Sequence, residues 1–253
     1  MSKQISNEAL EETANTSSKD TTLNMSLQTE TFKQNEITDQ GIDMSVVSSQ
    51  GSSDDVAGNN SMEQQYRSAA YGVLSALLRS VPSQEVIDHV SAFAEIAVDE
   101  DEMLLSMSML GLTANSSNSE AINDEYHELF IGLGRGELVP YGSWYLTGFL
   151  MEKPLGVLRD DLKILGIERD ESVSEPEDHV AALCEVMSLL ISDPSEGQDL
   201  ETQSIFFEKH IAPWMGRFFT DLSESNSATF YKAVGRFGAA FIKLENKYLT
   251  MPV

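Results

Sequence analysis

Between Tyr66 and Tyr248 the large apolar residues recur every three or four positions, and no segment alternates apolar with polar residues as a half-buried strand does. A repeat near 3.6 buries one face of a helix. The sequence therefore predicts an all-α fold, a single compact domain of about eight to ten helices. The first helix is expected to turn Tyr66, Ala69, Ala70, Val73, Leu74, Leu77 and Leu78 inward and to stop at Pro82. Ser83 caps a second helix, with Val86, Ile87, Val90, Phe93, Ala94 and Ala97 inward and His89 on the wet side. The acids Asp99 to Glu102 precede a third, Met103 to Leu112, where the helix dipole favours them. They are contiguous, so they do not make a calcium loop. Further helices are expected from Glu120, with Ile122, Tyr126, Leu129, Phe130 and Leu133 buried, and from Pro154, with Leu155, Leu158, Leu162 and Leu165, ending at Gly166. The last three run from Leu200 to Ile211, Pro213 to Leu222, and Ala228 to Leu249. The final one carries the stripe Phe230, Val234, Phe237, Phe241, Leu244 and Tyr248.

One further helix has the most unusual entrance. Ser174-Glu175-Pro176-Glu177-Asp178-His179 runs directly into the apolar stretch Val180 to Ile191, which Pro194 closes. Ser174 and Glu177 have the spacing of a capping box, and Pro176 suits a first turn. The spacing buries Val180, Leu183, Met187 and Leu190 and puts Asp178 and His179 beside the core. Two readings of that pair stand. They are a dipole partner and a satisfied histidine, or an acid–base pair in which each orients the other. The second would make the protein a small helical hydrolase, but no Gly-x-Ser-x-Gly elbow occurs and nothing nominates a nucleophile.

Residues 1–60 consist mainly of Ser, Thr, Asn, Gln, Asp and Glu. So little apolar area cannot offset the entropy of ordering, and the stretch is expected to be a disordered polar tail preceding a helical domain at 61–253. Of 16 basic and 41 acidic residues the tail holds 3 and 10, leaving 13 and 31 in the domain, a balance of −18 within the total of −25. That field opposes nucleic acid and anionic membranes and attracts basic peptides. The single cysteine, Cys184, excludes an intrachain disulfide and fits a reducing cytoplasm. No stretch reaches the length of a membrane span, and the N-terminus lacks the pattern of an export signal. His89, His127, His179 and His210 fall on different predicted helices with no metal-binding spacing, so neither a metal nor a cofactor is expected.

Two glycine-containing stretches separate the helices. Gly132-Leu133-Gly134-Arg135-Gly136 invites a nucleotide-loop reading, but no strand precedes it and no Gly-Lys-Ser/Thr ends it, so chain turning explains it better. Pro140-Tyr141-Gly142-Ser143-Trp144-Tyr145 packs three aromatics and a serine into six residues. Ser143 is expected to cap a helix beginning just after it. The aromatics have the composition of a peptide groove, with at least one partly exposed because buried Tyr and Trp need polar partners.

Glu125-Tyr126-His127-Glu128-Leu129-Phe130-Ile131-Gly132, Pro140 to Tyr145, and Glu175-Pro176-Glu177-Asp178-His179, in that order, resemble the TorD/DmsD family of redox-enzyme maturation chaperones, to which NarJ is a more distant relative. The resemblance covers the chain from about residue 62 and leaves the tail outside. It implies a catalytically inert, cytoplasmic, all-helical chaperone without a cofactor. Such a chaperone binds the twin-arginine signal peptide or apoprotein of a molybdopterin oxidoreductase and holds it until cofactor is inserted. Carried over by position, Tyr141, Ser143 and Tyr145, with Trp144 among them, and Glu175, Pro176, Asp178 and His179 form the expected peptide site. The stretches Leu146 to Leu150 and Glu152 to Arg159 look like the branch associated with formate dehydrogenase maturation. A monomer or homodimer is compatible, as is weak nucleotide binding near Gly132.

Overall fold

Ten α-helices follow one another among the described residues of the computed structural model, which are 53–97, 100–132, 136–170, 173–192 and 200–250. They are α1 (Ser53–Arg79), α2 (Gln84–Ser91), α3 (Glu102–Ser116), α4 (Ser119–Tyr126), α5 (Gly142–Thr147), α6 (Lys153–Ile164), α7 (Val180–Ser192), α8 (Leu200–His210), α9 (Met215–Glu224) and α10 (Phe230–Leu249). A 3₁₀ turn, Ala92–Glu95, follows α2, and a π turn, His127–Ile131, extends α4. No strand occurs among the described residues, as the periodicity requires. The tail expected at 1–60 lies outside the described residues as far as 52; α1 begins at Ser53, within that stretch.

Several helix ends are closed by the residue types the sequence offers. Ser83 accepts from Val86 N at 3.3 Å, Asp101 from Met103 N at 2.8 Å and Leu104 N at 3.0 Å, and Asn118 from Ala121 N at 2.8 Å. Pro154 lies in the first turn of α6, and Gly166, at φ 68°, ends it.

The core forms where α1 packs on α7 and α10 packs on α9 and α3. Gly235 and Gly238 permit the α9–α10 approach. A methyl on Gly235 would lie 2.4 Å from Ser223 N, and one on Gly238 2.2 Å from the Phe219 ring. Two expected stripes hold along most of their length, with Val73, Leu74, Leu77 and Leu78 buried on α1 and Phe230, Val234, Phe237 and Phe241 on α10, and each departs at one end. Tyr66 is exposed, and Arg67, only 5% exposed, takes the inward position next to Tyr71, Leu74 and Leu78. On α10, Leu244 is exposed and Glu245 is fully buried. The reason is a single interaction. Arg67 Nε and Nη2 meet Glu245 Oε1 and Oε2 at 2.6 and 2.9 Å, a two-pronged pair that joins α1 to α10 inside the core. Gln203 of α8 accepts a third bond from Arg67 at 2.8 Å.

Candidate functional site

The two short motif blocks meet through the backbone. Gly142 N donates to Asp178 O, and Val180 N donates to Pro140 O, both at 2.9 Å, so Tyr141 and His179 face each other in an isolated antiparallel bridge. Just ahead of α5 and of α7 the chain is extended, and these backbone bonds to the other block satisfy groups that no helix reaches. Their rings then touch edge to face at 5.0 Å.

Asp178 works on the opposite block, not on its own helix. Its Oδ2 accepts from Ser143 N at 2.7 Å, and the side chain is 4% exposed, so it caps α5 from a distance. Ser143 is not the expected cap. It lies inside the first turn of α5, fully buried, and neither its Oγ nor Asp178 Oδ1 meets a hydrogen-bond partner. Gly142 lies against Trp214, where a methyl would come within 3.1 Å of the indole nitrogen.

His179, 7% exposed, is itself the entrance to α7. Its carbonyl accepts from Leu183 N, and its Nδ1 accepts from Ala181 N at 3.2 Å. A ring nitrogen that accepts must be unprotonated. Burial pushes the imidazole down to about 4, against the opposing pull of Glu175 and Asp178. The capping box expected at Ser174 and Glu177 does not form, because α7 starts only at Val180. Glu177 instead holds Arg159 of α6 at 2.8 Å and Arg169 at 3.3 Å. The acid–base pair that adjacency suggests is also absent, since each side chain is bonded to a different backbone amide.

These assignments predict a pH dependence. Between pH 6.5 and about 4 the unfolded chain binds a proton at His179 that the native chain does not. Stability contributed by the neutral imidazole is therefore lost as pH falls through that window, by about 3 kcal/mol at most, and is constant above it. Unfolding free energies measured from pH 7 to 4 are expected to fall less steeply in His179→Gln than in the wild type. Parallel slopes would remove His179 as the cause.

The rest of the site is accessible. Tyr141, Trp144, Tyr145 and Pro176 are half-buried, and Glu175 is exposed. The Tyr141 hydroxyl donates to Glu175, and the Tyr145 hydroxyl donates to Asp221 at 3.0 Å. Burial and the adjacent carboxylate raise both phenols, so they remain donors at neutral pH. Two shallow clefts flank them. One, of about 360 Å³, has Met151, Leu155, Gly156, Arg159, Arg169 and Pro176 in its wall. The other, of about 200 Å³, has Glu137, Trp144, Tyr145, Arg217 and Asp221. From the last turn of α5 to the start of α6 the chain presents Leu146, Phe149, Leu150 and Met151 to solvent, with Phe149 67% and Met151 73% exposed.

Sequence reasoning missed two contributors. Glu125, in the first of the resembling blocks, accepts from Phe230 N and Tyr231 N at 3.2 Å each and so caps α10 across the fold. His210, buried, places Nε2 2.6 Å from Asp161 Oδ2 and ties α8 to α6, the helix that walls the larger cleft. Periodicity could not have paired these residues, because each partner is distant in sequence. Of the Gly132–Gly136 run, 133–135 lie outside the described residues. Gly132 ends the π turn at φ 57°, and a methyl on Gly136 would lie 2.3 Å from Leu129 O, both in keeping with chain turning. Among the described residues no group of three His, Cys, Asp or Glu is placed to hold a metal ion.

The family model described as nitrate reductase delta subunit matches residues 91–220, just over half of the chain. The chain is 29% identical over 137 residues to the chaperone protein TorD of Aliivibrio salmonicida, covering 51% of this chain and 64% of that one. With TorD of Vibrio cholerae it shares 26% over 133 residues, covering 49% and 60%. The chain thus spans less than two thirds of the length of these relatives. With TorD of Vibrio atlanticus it shares 25% over 203 residues, covering 72% and 94%. The crystal structure of a protein assigned to redox enzyme maturation from Archaeoglobus fulgidus aligns at 19% identity with a TM-score of 0.46, covering 79% and 98%. The chain belongs to the TorD/DmsD family of redox-enzyme maturation chaperones, the group of the nitrate reductase delta subunit.

Proposed function

We propose that this chaperone acts in the cytoplasm on the apo form of a molybdopterin oxidoreductase, binding its twin-arginine leader before export. The observation that carries the reading is the exposed apolar strip Leu146, Phe149, Leu150 and Met151, which continues directly from the α5 that the two motif blocks pin in place. A strip of this kind left open to water marks an interaction surface. It suits the apolar run of a leader peptide, with the half-buried rings of Tyr141, Trp144 and Tyr145 and the edge of Pro176 as rigid contacts.

Glu175, exposed and held by the Tyr141 hydroxyl, is the carboxylate of the block best placed to meet a guanidinium, because Glu177 already carries two arginines of this chain. Ser143, Asp178 and His179 are too buried to touch a peptide and act by holding the rim. The net charge of −25 speeds the encounter with a basic leader. No helix among the described residues is long and apolar enough to cross a membrane. Formate dehydrogenase is the proposed client, from the Leu146 to Arg159 resemblance, and the residues ahead of Ser53 are proposed to be a polar tail outside the chaperone domain.

Calorimetric titration of the full chain with twin-arginine leaders of candidate molybdoenzymes tests this. One leader is expected to bind, to weaken when its two arginines become alanines, and to lose about 10- to 100-fold in affinity to Phe149→Ser, the equivalent of burying one aromatic side chain. Failure of every leader to bind a folded chain sinks the proposal.

A further inference from the structure

Helix α3 buries small residues beside Leu110 and leaves two leucines outside. Its buried positions are Ser106, Ser108, Leu110, Gly111 and Ala114, whereas Leu105 and Leu112 are 46% and 57% exposed, with Met109 half-buried between them. The small inward residues have a local cause: the 3₁₀ turn comes so close that a methyl on Gly111 would lie 2.1 Å from Ala94 N. That cause says nothing about the outward leucines. Leu105, Met109 and Leu112, at i, i+4 and i+7, make a stripe about 10 Å long on a face where polar residues would fold equally well.

The stretch of chain that carries the stripe is acidic. From Ser80 to Gly134 the sequence has no Lys or Arg and eleven Asp or Glu. At the far end of α3, Ser119 Oγ donates to Gln84 at 2.6 Å, which brings the starts of α4 and α2 together with their exposed Glu120, Glu85 and Asp88. The C-terminal carbonyls of α3 add negative potential at the same end. One edge belongs to α10, whose Lys243 reaches Glu102 at 2.5 Å, with Lys247 one turn on.

We propose that this outer face of α3 is a docking surface for a cationic amphipathic helix of a partner protein, apolar on the side that meets Leu105, Met109 and Leu112 and rich in Lys or Arg on the side that faces α2 and α4. The surface shares no residue with the proposed leader site, and the partner engages it independently of leader binding.

The test uses the full chain and a fluorescent 18-residue Leu/Lys amphipathic peptide, with a Leu/Glu peptide of the same pattern as control. Anisotropy is expected to show saturable, salt-sensitive binding of the Leu/Lys peptide alone, weakened at least tenfold in Leu105→Ser/Leu112→Ser and in the milder Leu112→Lys. Phe149→Ser is expected to leave it unchanged. Leader affinity is expected to be the same in the α3 variants as in the wild type, so this proposal and the leader site fail separately. No binding to the wild type overturns the proposal. So does equal binding by a folded Leu112→Lys chain, which would mean charge attraction without α3. Self-association abolished by the same substitutions would make the occupant a second copy and would also overturn it.

Discussion

Replacing Glu245 with Ala is expected to cost about 3–5 kcal/mol of stability, because it strands the Arg67 guanidinium in the core without its anion. In a chain of this size that corresponds to a fall in melting temperature of roughly 10 °C. Both partners are almost fully buried, at 5% and 1% side-chain exposure, so water cannot take over the lost contact. Arg67 also lies over the Tyr248 ring at 4.4 Å and bonds Gln64 and Gln203, so its loss of partner disturbs α1, α8 and α10 together. Removing the charges as a pair is a different matter. Arg67→Met/Glu245→Leu is expected to be clearly more stable than Glu245→Ala, since no unpaired charge remains. Urea unfolding of the single and double variants measures the difference. A Glu245→Ala chain within about 1 kcal/mol of wild type would show that the buried pair is not a lock between these helices.

Asp178→Ala is expected to act on stability and binding at once. It leaves the Ser143 amide buried without an acceptor and uncaps α5, a loss of about 2–3 kcal/mol. Because α5 carries Trp144 and Tyr145 and leads into the exposed apolar strip, leader affinity should fall by at least tenfold even where the variant remains folded. Ser143→Ala provides the contrast. Its hydroxyl has no partner to lose, so it is expected to leave stability within about 0.5 kcal/mol and binding unchanged. Thermal unfolding and leader titration on the same preparations separate the two outcomes. If Asp178→Ala binds leader as tightly as wild type, the cap does not position the site.

Much of the fold is legible in the amino-acid sequence. The 3.6 repeat specifies the helices, and the cap at Ser83 and the stop at Gly166 are local chemistry, decided within a few residues of chain. The stretches Pro140 to Tyr145 and Glu175 to His179 stand out by composition, and the backbone bridge brings them together. The roles of their side chains do not stand out. The neighbours of Asp178 suggest that it serves the start of its own helix, yet it caps α5; the spacing of Glu177 suggests half of a capping box, yet it holds two arginines. Ser143 has the chemistry of a cap and is a buried residue of the first turn.

The amino-acid sequence by itself determined that the protein is helical, which residues end many of the helices, and which two stretches are chemically unusual, because each of these depends on neighbours within a turn or two of chain. Only the tertiary structure decided where charge is buried and whom each carboxylate serves. Glu245 turned inward to meet Arg67, Glu125 closed a helix more than a hundred residues away, and Leu105 and Leu112 of α3 were left facing water. A carboxylate accepts from whichever donor the fold brings within about 3 Å, and separation along the chain places no limit on that choice.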